Sequence, residues 1–514
     1  MKPRVRFAPS PTGLFHVGSA RIALANYLFA KKNKGDFILR IEDTDKERSL
    51  DEYEDNIIQC LNWLGLNFDE GPSRKGNYGA LKEGKYGPYK QSERSEIYEK
   101  YIQKLFDQGD IYRCFCSKKE LEESRDKQRE DGEAPTYSGK CRNLSEKEVA
   151  EKLENGRDFV FRMKVESGKE VSFNDLVRGE VSFKTDIIGD FVVAKDSSTP
   201  LYNLACAIDD YEMEITHVIR GEDHISNTPK QILIGEALGF NSVEYAHLPL
   251  ILAPDKSKLS KRFGAVSVSE YKKEGFLPEA MVNFLALLGW SPGDDREFFI
   301  LEELEKEFSL DRCKKAGAVF NKEKLEYINS LHIKKADPER LAQLIIPYLV
   351  KNGLLNPTHE IEQYPPALGA KGIKTVYKTE DGREFSFSQL TSIAKEHQDR
   401  VSKLSEITEV TDYFFNSIEV DFELIQWKDM TADELKAALN EAVKVVESIE
   451  DWNQESVSER LLEKANQYDG RGKFLWPLRA SLTGKKASAG PFEVAYILGR
   501  RETIKRINAA INIL

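Results

Sequence analysis

The first 45 residues follow an order of strand, turn, helix and second strand. Residues 5–8 are strand-like and end at the Pro-Ser-Pro-Thr-Gly turn of residues 9–13. A helical pattern covers 21–30, and Gly35 marks its end before a second strand at 37–41. Because strands joined through a helix pair in parallel, this order predicts a parallel sheet with its ligand at the carboxyl ends of the strands.

The length of 514 residues predicts several domains. The pattern along the chain further predicts that the first domain is interrupted by an insertion. Strand-like 191–194 and helix-like 231–238 predict that the parallel sheet resumes near residue 200, after an insertion. From about residue 330 the pattern is helical, and Pro338 and Thr431 each begin a capped amphipathic helix. Prolines and glycines within 361–388 predict a loop or small hairpin there.

The composition is that of a globular protein, with 40% hydrophobic and 31% charged residues. The chain has no run of 18 apolar residues, which predicts that it does not span a membrane. Its N-terminus lacks the apolar core of a secretory signal, and its six cysteines do not form a secreted disulfide pattern. We therefore expect a cytoplasmic protein.

The formal net charge of −11 conceals a basic C-terminal segment. From Arg471 to the end, nine lysines and arginines face two glutamates, a surplus of seven positive charges. Binding of a polyanion responds to local rather than whole-chain charge, so this segment is a candidate nucleic-acid surface. Charge alone equally allows a solvated helical surface.

The most specific motif is Ala8-Pro-Ser-Pro-Thr-Gly-Leu-Phe-His-Val-Gly-Ser19, which leads into a helix. The backbone N–H groups at a helix start, and the positive end of the helix dipole, favour phosphate. Gly18 allows close approach of the backbone to a nucleotide, and His16 can donate a hydrogen bond to a phosphate oxygen. Taken alone, the motif also fits an ordinary helix-capping histidine.

A second motif, Asp255-Lys-Ser-Lys-Leu-Ser-Lys-Arg262, follows about 240 residues later. Lys258 and Lys261 can place two ammonium groups on a triphosphate, which phosphoryl and nucleotidyl transfer require. A run of lysines by itself is a common solvated loop. The conjunction of the two motifs favours nucleotide chemistry.

His16-Val-Gly-Ser19 and Lys258-Leu-Ser-Lys-Arg262 resemble the two nucleotide-binding motifs of class I aminoacyl-tRNA synthetases, written HIGH and KMSKS. Both depart from the family pattern at their last position, where this chain has Ser19 and Arg262. The surrounding Ala8–Gly13 segment and Arg40-Ile-Glu-Asp-Thr-Asp45 are similar to the glutamyl and glutaminyl subgroup. The resemblance extends over the whole chain and is weaker beyond residue 330.

The resemblance implies a two-step reaction with ATP, accompanied by Mg²⁺, as a substrate. Glutamate attacks the α-phosphate to give glutamyl-adenylate and diphosphate, and the terminal ribose hydroxyl of tRNA(Glu) then takes the glutamyl group. In this family His16, Gly18, Ser19, Lys258, Ser260 and Lys261 correspond to the catalytic and ATP-binding positions. Glutamate activation in the family normally waits for bound tRNA, and the resemblance implies a monomer.

The implied fold is an α/β Rossmann-type catalytic domain with a parallel sheet, split by an inserted α/β acceptor-binding domain and followed by an all-α anticodon-binding region. The catalytic domain is assigned to 1–90 and 200–246, and the inserted acceptor-arm domain to 91–199. A stem-contact domain with the second motif covers 247–333. Helical anticodon-binding domains cover 334–430 and 431–514.

Recognition of a small dicarboxylate needs cations for its carboxylates and an anion for its ammonium group. Arg6, Glu42 and Arg220 each lie at the end of a predicted strand. Arg220 favours glutamate, because a guanidinium pairs with a carboxylate far better than with an amide. The resemblance places the following residues in the amino-acid pocket: Arg6, Ala8, Ser10, Glu42, Tyr202, Asn203 and Arg220. Structural ion pairs are the alternative for the charged ones.

Two metal hypotheses arise from the sequence. Glu42, Asp43 and Asp45 are carboxylates of the kind that hard cations prefer, but their spacing does not identify Mg²⁺ ligands. Cys114, Cys116 and Cys141 with the phenol of Tyr137 could close a tetrahedral zinc site, as in some relatives. Other relatives use a final histidine, where this chain has Asn143. Packed thiols without metal are the alternative.

The C-terminal half resembles the helical anticodon-binding region of bacterial-type glutamyl enzymes, most clearly at 471–484. Arginines can read base edges, and aromatic rings can stack on unpaired bases. Arg400 matches a position with which family members check the third anticodon base. A solvated helix arginine is the competing interpretation.

Alternative functions remain open at this point. A non-discriminating enzyme would also charge tRNA(Gln). A shortened relative that glutamylates a modified tRNA base lacks a C-terminal half of this kind. A catalytically silent tRNA-binding paralogue has no need for the intact set of His16, Lys258, Lys261, Glu42 and Arg220.

Overall fold

A computed structural model describes residues 2–45, 47–72, 84–257, 259, 266–357 and 376–514. The chain divides into two compact units, residues 1–273 with 278–325, and residues 274–277 with 326–514. No helix within the described residues has both the length and the apolar character needed to cross a membrane.

The described strands are numbered in chain order. They are β1 Arg4–Phe7, β2 Asp36–Leu39, β3 Ile111–Cys114, β4 Val160–Met163, β5 Glu170–Asp175, β6 Gly179–Lys184, β7 Val192–Ala194, β8 His217–Gly221, β9 Glu244–Leu248, β10 Ile251–Leu252, β11 Ala318–Val319, β12 Asn356–Pro357, β13 Tyr377–Lys378 and β14 Glu384–Phe385.

The described helices of the first unit and its edge are α1 Val17–Lys32, α2 Asp51–Trp63, α3 Ser95–Asp107, α4 Lys118–Glu130, α5 Glu146–Glu154, α6 Thr185–Ile188, α7 Tyr202–Glu212, α8 Thr228–Leu238, α9 Val268–Glu274, α10 Pro278–Leu287 and α11 Leu301–Glu307. Those that follow are α12 Lys322–Lys335, α13 Pro338–Lys351, α14 Phe387–His397, α15 Ile407–Phe415, α16 Phe422–Ile425, α17 Ala432–Ser448, α18 Gln454–Ala465, α19 Gly472–Thr483 and α20 Pro491–Ile511.

A six-stranded sheet in the order β2-β1-β8-β9-β5-β6 forms the centre of the first unit. Val5 of β1 lies beside Phe37 of β2 and His217 of β8, and all of these pairings are parallel. The side chains of Val5 and Phe37 are fully buried, as expected of a parallel sheet covered on both faces. The carboxyl ends of β1, β2 and β8 therefore meet at one edge of the sheet.

A separate three-stranded antiparallel sheet, β3-β4-β7, packs in the inserted part of the chain. The predicted strand at 191–194 is present as β7, but it belongs to this antiparallel sheet and not to the six-stranded one. Strands β5 and β6 lie within 91–199 and extend the six-stranded sheet through β9. A short apolar run does not specify which sheet it joins, since partner choice depends on contacts distant in sequence.

The second unit is mainly helical. Asp337 caps α13, and Thr431 begins α17 with a capping box in which Glu434 reciprocates, as the sequence predicted. Strands β13 and β14 form a small hairpin within the segment predicted as a loop or hairpin, and residues 358–375 lie outside the described residues. Leucines, alanines and valines of α17, α19 and α20 form fully buried faces.

Candidate active site

A cleft of about 1390 Å³ opens at the carboxyl edge of the parallel sheet. Segments that follow β1, β2, β8 and β9 line it, together with the start of α1. Nine of the predicted site residues line this cleft: Arg6, Ala8, Ser10, His16, Gly18, Ser19, Glu42, Tyr202 and Arg220. The fold thus brings together residues from both parts of the interrupted sheet.

Four other predicted site residues are not found among the described residues that line the cleft. Asn203 is not among the described residues that line the cleft, and its Oδ1 accepts a hydrogen bond from Gln231 Nε2 at 3.4 Å. Lys258, Ser260 and Lys261 lie outside the described residues. Leu259, between them, lines the cleft. The roles of these lysines therefore stay predictions.

His16 is the N-terminal cap of α1. Its backbone is extended, with φ −99° and ψ 161°, and its Nδ1 accepts a hydrogen bond from the Ser19 amide at 3.2 Å. Ser19 Oγ lies 3.0 Å from His16 Nε2. The first turn of α1, all of it described, contains no acidic side chain. The positive end of the helix dipole is therefore not opposed by a carboxylate of the first turn of α1, which favours a bound phosphate there.

Gly18 lies against the imidazole of His16. A Cβ on residue 18 would stand 2.9 Å from His16 Nδ1 and 3.0 Å from Cε1, closer than carbon atoms tolerate. The absence of a side chain therefore allows the histidine to fold back over the helix start. This reason for glycine stands beside the predicted one, the close approach of a nucleotide to the backbone, which stays a prediction.

Backbone pairing places the chain that follows the second motif beside His16. Val17 N donates to Val266 O at 2.9 Å, and Val268 N donates to Phe15 O at 2.9 Å. His16 and Ser267 form an antiparallel bridge. Two segments about 250 residues apart in sequence therefore meet at the start of α1.

A buried ionic network lies beneath the cleft. Asp210 accepts from Arg6 Nε at 3.0 Å and from Arg40 Nη1 at 2.7 Å, and Arg40 Nη2 donates to Glu42 at 3.1 Å. Although burial raises it, the charges of Arg6 and Arg40 hold the pKa of Asp210 down at about 2. Burial raises the pKa of Glu42, because it outweighs the attraction of Arg40 and Arg6. Arg6 is therefore already paired with a carboxylate of the protein.

Neither Asp210 nor its neighbour Asp209 has a role predicted from the sequence. Asp209 binds Arg94 Nε at 2.7 Å, Gln91 Nε2 at 2.8 Å and Tyr98 Oη at 3.0 Å. A signal was present, because two adjacent aspartates directly follow the apolar 204–208 stretch of α7. Buried charges of this kind require partners.

Arg220 is the penultimate residue of β8 and is only 5% exposed. Its Nε donates to His247 Nε2 at 3.1 Å, and its Nη2 donates to Thr228 Oγ1 at 2.7 Å. Its Nη1 is buried without a hydrogen-bond partner among the described residues. Because the residue lines the cleft, it offers a positive donor group to an anionic ligand.

Tyr202 and His224 form a polar wall of the same cleft. Tyr202 Oη lies 2.9 Å from His224 Nδ1. Burial, with the nearby charge of Arg220, lowers the pKa of His224 to about 4, so this imidazole is neutral at pH 7. Burial raises the pKa of Tyr202, which keeps the phenol protonated. His224 has no role predicted from the sequence.

The carboxylates considered for Mg²⁺ are held by protein groups. Glu42 pairs with Arg40, Asp43 accepts from Ser92 N at 2.8 Å and Oγ at 2.6 Å, and Asp45 pairs with Arg48 at 2.6 Å. They form no metal-ligand cluster among the residues that could be searched.

Cys114, Cys116 and Cys141 converge in the inserted part of the chain, with their Sγ atoms within 4.8 Å of one another. Tyr137 Oη lies 3.3 Å from Cys114 Sγ and 3.4 Å from Cys116 Sγ. Burial raises the pKa of Cys116 to about 12 and also raises that of Tyr137. Four donor atoms at these separations fit a tetrahedral zinc ion, which would deprotonate the thiols.

Arg400 is exposed, and its charge lowers the pKa of Arg479, although burial of Arg479 contributes more. The Arg479 guanidinium lies 4.5 Å from the centre of the Trp476 ring. The second unit therefore brings Arg400 near Arg479 and Trp476, and the latter two lie within the segment 471–484 that is most similar to anticodon-binding regions.

Comparison with known proteins agrees with this architecture. Residues 2–327 match the family described as tRNA synthetases class I (E and Q), catalytic domain, and residues 340–511 match an anticodon binding domain family. The chain therefore belongs to the class I tRNA synthetases for glutamate and glutamine, and the predicted fold class is confirmed.

Within that class, the chain is similar to glutamate–tRNA ligases over its full length. It is 45% identical to the one from Carboxydothermus hydrogenoformans, with 99% of this chain and 100% of that protein covered. It is 42% identical to the one from Natranaerobius thermophilus, with 99% of each covered. The crystal structure of the Elizabethkingia meningosepticum glutamate tRNA ligase, in complex with its amino acid, matches with a TM-score of 0.82, 34% identity and 100% of both chains covered.

Proposed function

We propose that this chain is a glutamate–tRNA ligase. A carboxylate oxygen of L-glutamate attacks the α-phosphorus of ATP, diphosphate leaves, and glutamyl-adenylate forms. The terminal ribose hydroxyl of tRNA(Glu) then attacks the activated carbonyl, and AMP leaves. The overall reaction converts ATP, L-glutamate and tRNA(Glu) into AMP, diphosphate and L-glutamyl-tRNA(Glu).

One observation carries the choice of amino acid. Arg220 is buried at the cleft, is bound to two neutral partners and has one donor nitrogen without a partner. A buried guanidinium in this state favours an anion over an amide, because only the anion compensates its charge. Glutamate supplies that anion through its side-chain carboxylate, whereas glutamine does not.

The nucleotide occupies the opposite part of the cleft in this proposal. The start of α1 and the imidazole of His16 receive the phosphates, and Gly18 and Ser19 hold His16 in its folded-back position. Lys258 and Lys261, with Ser260, add positive charge as diphosphate departs. ATP enters with Mg²⁺ as part of the substrate, and no residue is assigned to that ion.

The remaining cleft residues surround the amino acid. Ala8 and Ser10 follow β1, and Glu42 supplies negative charge for the ammonium group of the substrate. Tyr202, beside His224, also contacts the amino acid in this proposal, and so does Asn203, the next residue of α7. Arg6 acts mainly through Asp210 and Arg40, because this hydrogen-bonded network fixes the position of the Glu42 carboxylate.

The domain assignments extend this proposal to the tRNA. The part within 91–199 receives the acceptor arm, 247–333 contacts the stem, and 334–430 with 431–514 receives the anticodon, where Arg400 contacts the third base. Cys114, Cys116, Tyr137 and Cys141 hold a structural zinc ion, which would stabilise the acceptor-arm part. We expect a monomer that acts in the cytoplasm, where ATP, glutamate and tRNA occur together.

A charging assay with purified tRNA(Glu) and tRNA(Gln), in which the attached amino acid is identified, tests the proposal. We expect glutamate on tRNA(Glu), and ATP–diphosphate exchange only when glutamate and tRNA are both present. Glutamate on both tRNAs would identify a non-discriminating enzyme. Absence of exchange under every condition would leave a tRNA-binding paralogue and would refute the proposal.

A further inference from the structure

Arg220 is fixed from behind by a chain of buried polar groups that do not touch the cleft. His247 Nε2 lies 3.1 Å from Arg220 Nε, and His247 Nδ1 lies 2.6 Å from Asp175 Oδ2. The side chains of His247 and Asp175 are fully buried. Asp175 ends β5 and His247 lies in β9, the adjacent parallel strand. Asp175, His247 and Arg220 therefore form one hydrogen-bonded chain across three strands of the sheet, and Arg220 is its member at the cleft.

The hydrogen bonds define which nitrogen of His247 carries the proton. Arg220 Nε is always a donor, so His247 Nε2 must accept and must be unprotonated. Asp175 is an acceptor when ionised, so His247 Nδ1 carries the proton and donates to it. The pKa of Asp175 lies below its usual value despite burial, because His247 and the amides of Arg178 and Val177 donate to it. A carboxylate therefore selects the tautomer that the arginine requires.

The orientation of the Asp175 carboxylate is itself fixed. Oδ1 accepts from Val177 N at 3.0 Å and from Arg178 N at 2.8 Å, and Oδ2, which also accepts from His247 N at 3.1 Å, lies against the His247 ring. An asparagine at this position would keep its oxygen toward those two amides. Its NH₂ group would then face His247 Nδ1 and force the ring proton onto Nε2, opposite the N–H of Arg220.

We propose that Asp175 and His247 are positioning residues that hold Arg220 with its Nη1 toward the substrate, and that they thereby determine the preference for glutamate over glutamine. This inference rests on the proposed function. Hydrogen bonds from Nε to His247 and from Nη2 to Thr228 fix the orientation of the guanidinium. The N–H groups of Nη1, which have no partner among the described residues, therefore have one direction. An amide ligand would present that donor with only a neutral oxygen.

The test compares Asp175→Asn, His247→Leu and His247→Gln with the parent protein. In Asp175→Asn we expect KM for glutamate to rise about 10- to 100-fold, as for a lost hydrogen bond to a charged group, while KM for ATP changes little. The ratio of kcat/KM for glutamate to that for glutamine should fall by a similar factor. His247→Leu should act in the same way, and His247→Gln, whose amide oxygen can accept from Arg220, should restore much of the loss.

Several results would overturn the inference. They are an unchanged KM for glutamate in folded Asp175→Asn or His247→Leu, an equal rise in KM for glutamate and ATP, or no recovery in His247→Gln. If Asp175→Asn does not fold, the two His247 variants decide. Imidazole ¹⁵N NMR of the parent adds an independent readout, since a proton on His247 Nε2 would contradict the proposed tautomer. A parent protein that does not charge tRNA with glutamate would instead refute the proposed function.

Discussion

The imidazole of His16 lies so close to Gly18 that a Cβ at position 18 would stand 2.9 Å from His16 Nδ1 and the ring would have to shift. We predict that Gly18→Ala displaces His16 from the start of α1. Loss of a positioned hydrogen-bond donor to the developing charge should lower ATP–diphosphate exchange by about 100-fold. The measurement is the exchange rate at saturating ATP, glutamate and tRNA.

Gly235→Ala is the matched control, because Gly235 also lies within a helix and its added Cβ would meet only Phe240 Cβ at 3.8 Å. This variant should keep full exchange activity, with stability unchanged or raised by about 1 kcal/mol through helix propensity. Full activity in Gly18→Ala would show that the position of His16 does not limit catalysis.

A second prediction concerns the charge of Arg220. Arg220→Gln should raise KM for glutamate by at least about 30-fold, since it removes the cation of a buried, hydrogen-bonded charge pair. KM for ATP should remain close to that of the parent protein, because the proposed nucleotide site lies at the start of α1 and not at Arg220. Steady-state charging kinetics measure both constants. An unchanged KM for glutamate would mean that the substrate carboxylate lies elsewhere.

The opening of the fold was predictable because its signals are local. Strand, turn and helix patterns specify β1, α1 and β2 directly, and parallel pairing then brings Ala8 and Glu42 to one edge. Arg220 could be added because it ends a strand-like run. Residues such as these carry their signal in the few positions around them.

The support beneath the cleft was not predictable in the same way. Asp210 binds Arg6 across 204 positions, and His247 binds Asp175 across 72. A buried charge and its partner have no fixed spacing in sequence, because the sheet topology alone decides which strands and helices become neighbours. The membership of β5 and β6 in the main sheet eluded prediction for the same reason.

A third prediction concerns Lys261, which lies outside the described residues and is assigned from the second sequence motif. Lys261→Ala should lower adenylate formation by about 100-fold or more, because a cation that neutralises the leaving diphosphate acts mainly in the transition state. The affinity for tRNA should be nearly unchanged, as measured by filter binding. Full exchange activity in this variant would exclude Lys261 from the mechanism.

A fourth prediction concerns metal content. The purified protein should contain about one zinc per chain by elemental analysis, because Cys114, Cys116, Tyr137 and Cys141 present four converging donor atoms. Cys116→Ser should lose most of this zinc and should lower the midpoint of thermal unfolding. Chelation of the parent protein should lower the midpoint in the same way.

Cys313→Ser is the control for this experiment, since Cys313 lies outside the cluster and its thiol donates to Ser309 O at 3.8 Å. It should retain the parent zinc content. A parent protein free of zinc after metal-replete preparation would identify the three cysteines as packed thiols.

The last prediction is a pH dependence that arises in the second unit. His397 is 1% exposed, its Nδ1 donates to Ile393 O at 2.8 Å, and its Nε2 accepts from Tyr413 Oη at 2.9 Å. Burial, reinforced by the charge of Arg400, lowers the pKa of His397 to about 4 despite the Ile393 hydrogen bond. The unfolded chain has an ordinary histidine pKa of about 6.5 and therefore takes up a proton first as the pH falls.

Stability from His397 is consequently complete above pH 6.5 and is lost as the pH falls from there toward 4. Between pH 7 and pH 5 the free energy of unfolding should fall by on the order of 1–2 kcal/mol more in the parent than in His397→Gln. Urea unfolding of both proteins at the two pH values measures this difference. Because the charge of Arg400 contributes to the lowered pKa of His397, Arg400→Ala should raise this pKa and Arg400→Lys should not. Equal pH dependence of the free energy of unfolding in the parent and in His397→Gln would show that His397 titrates normally in the folded protein.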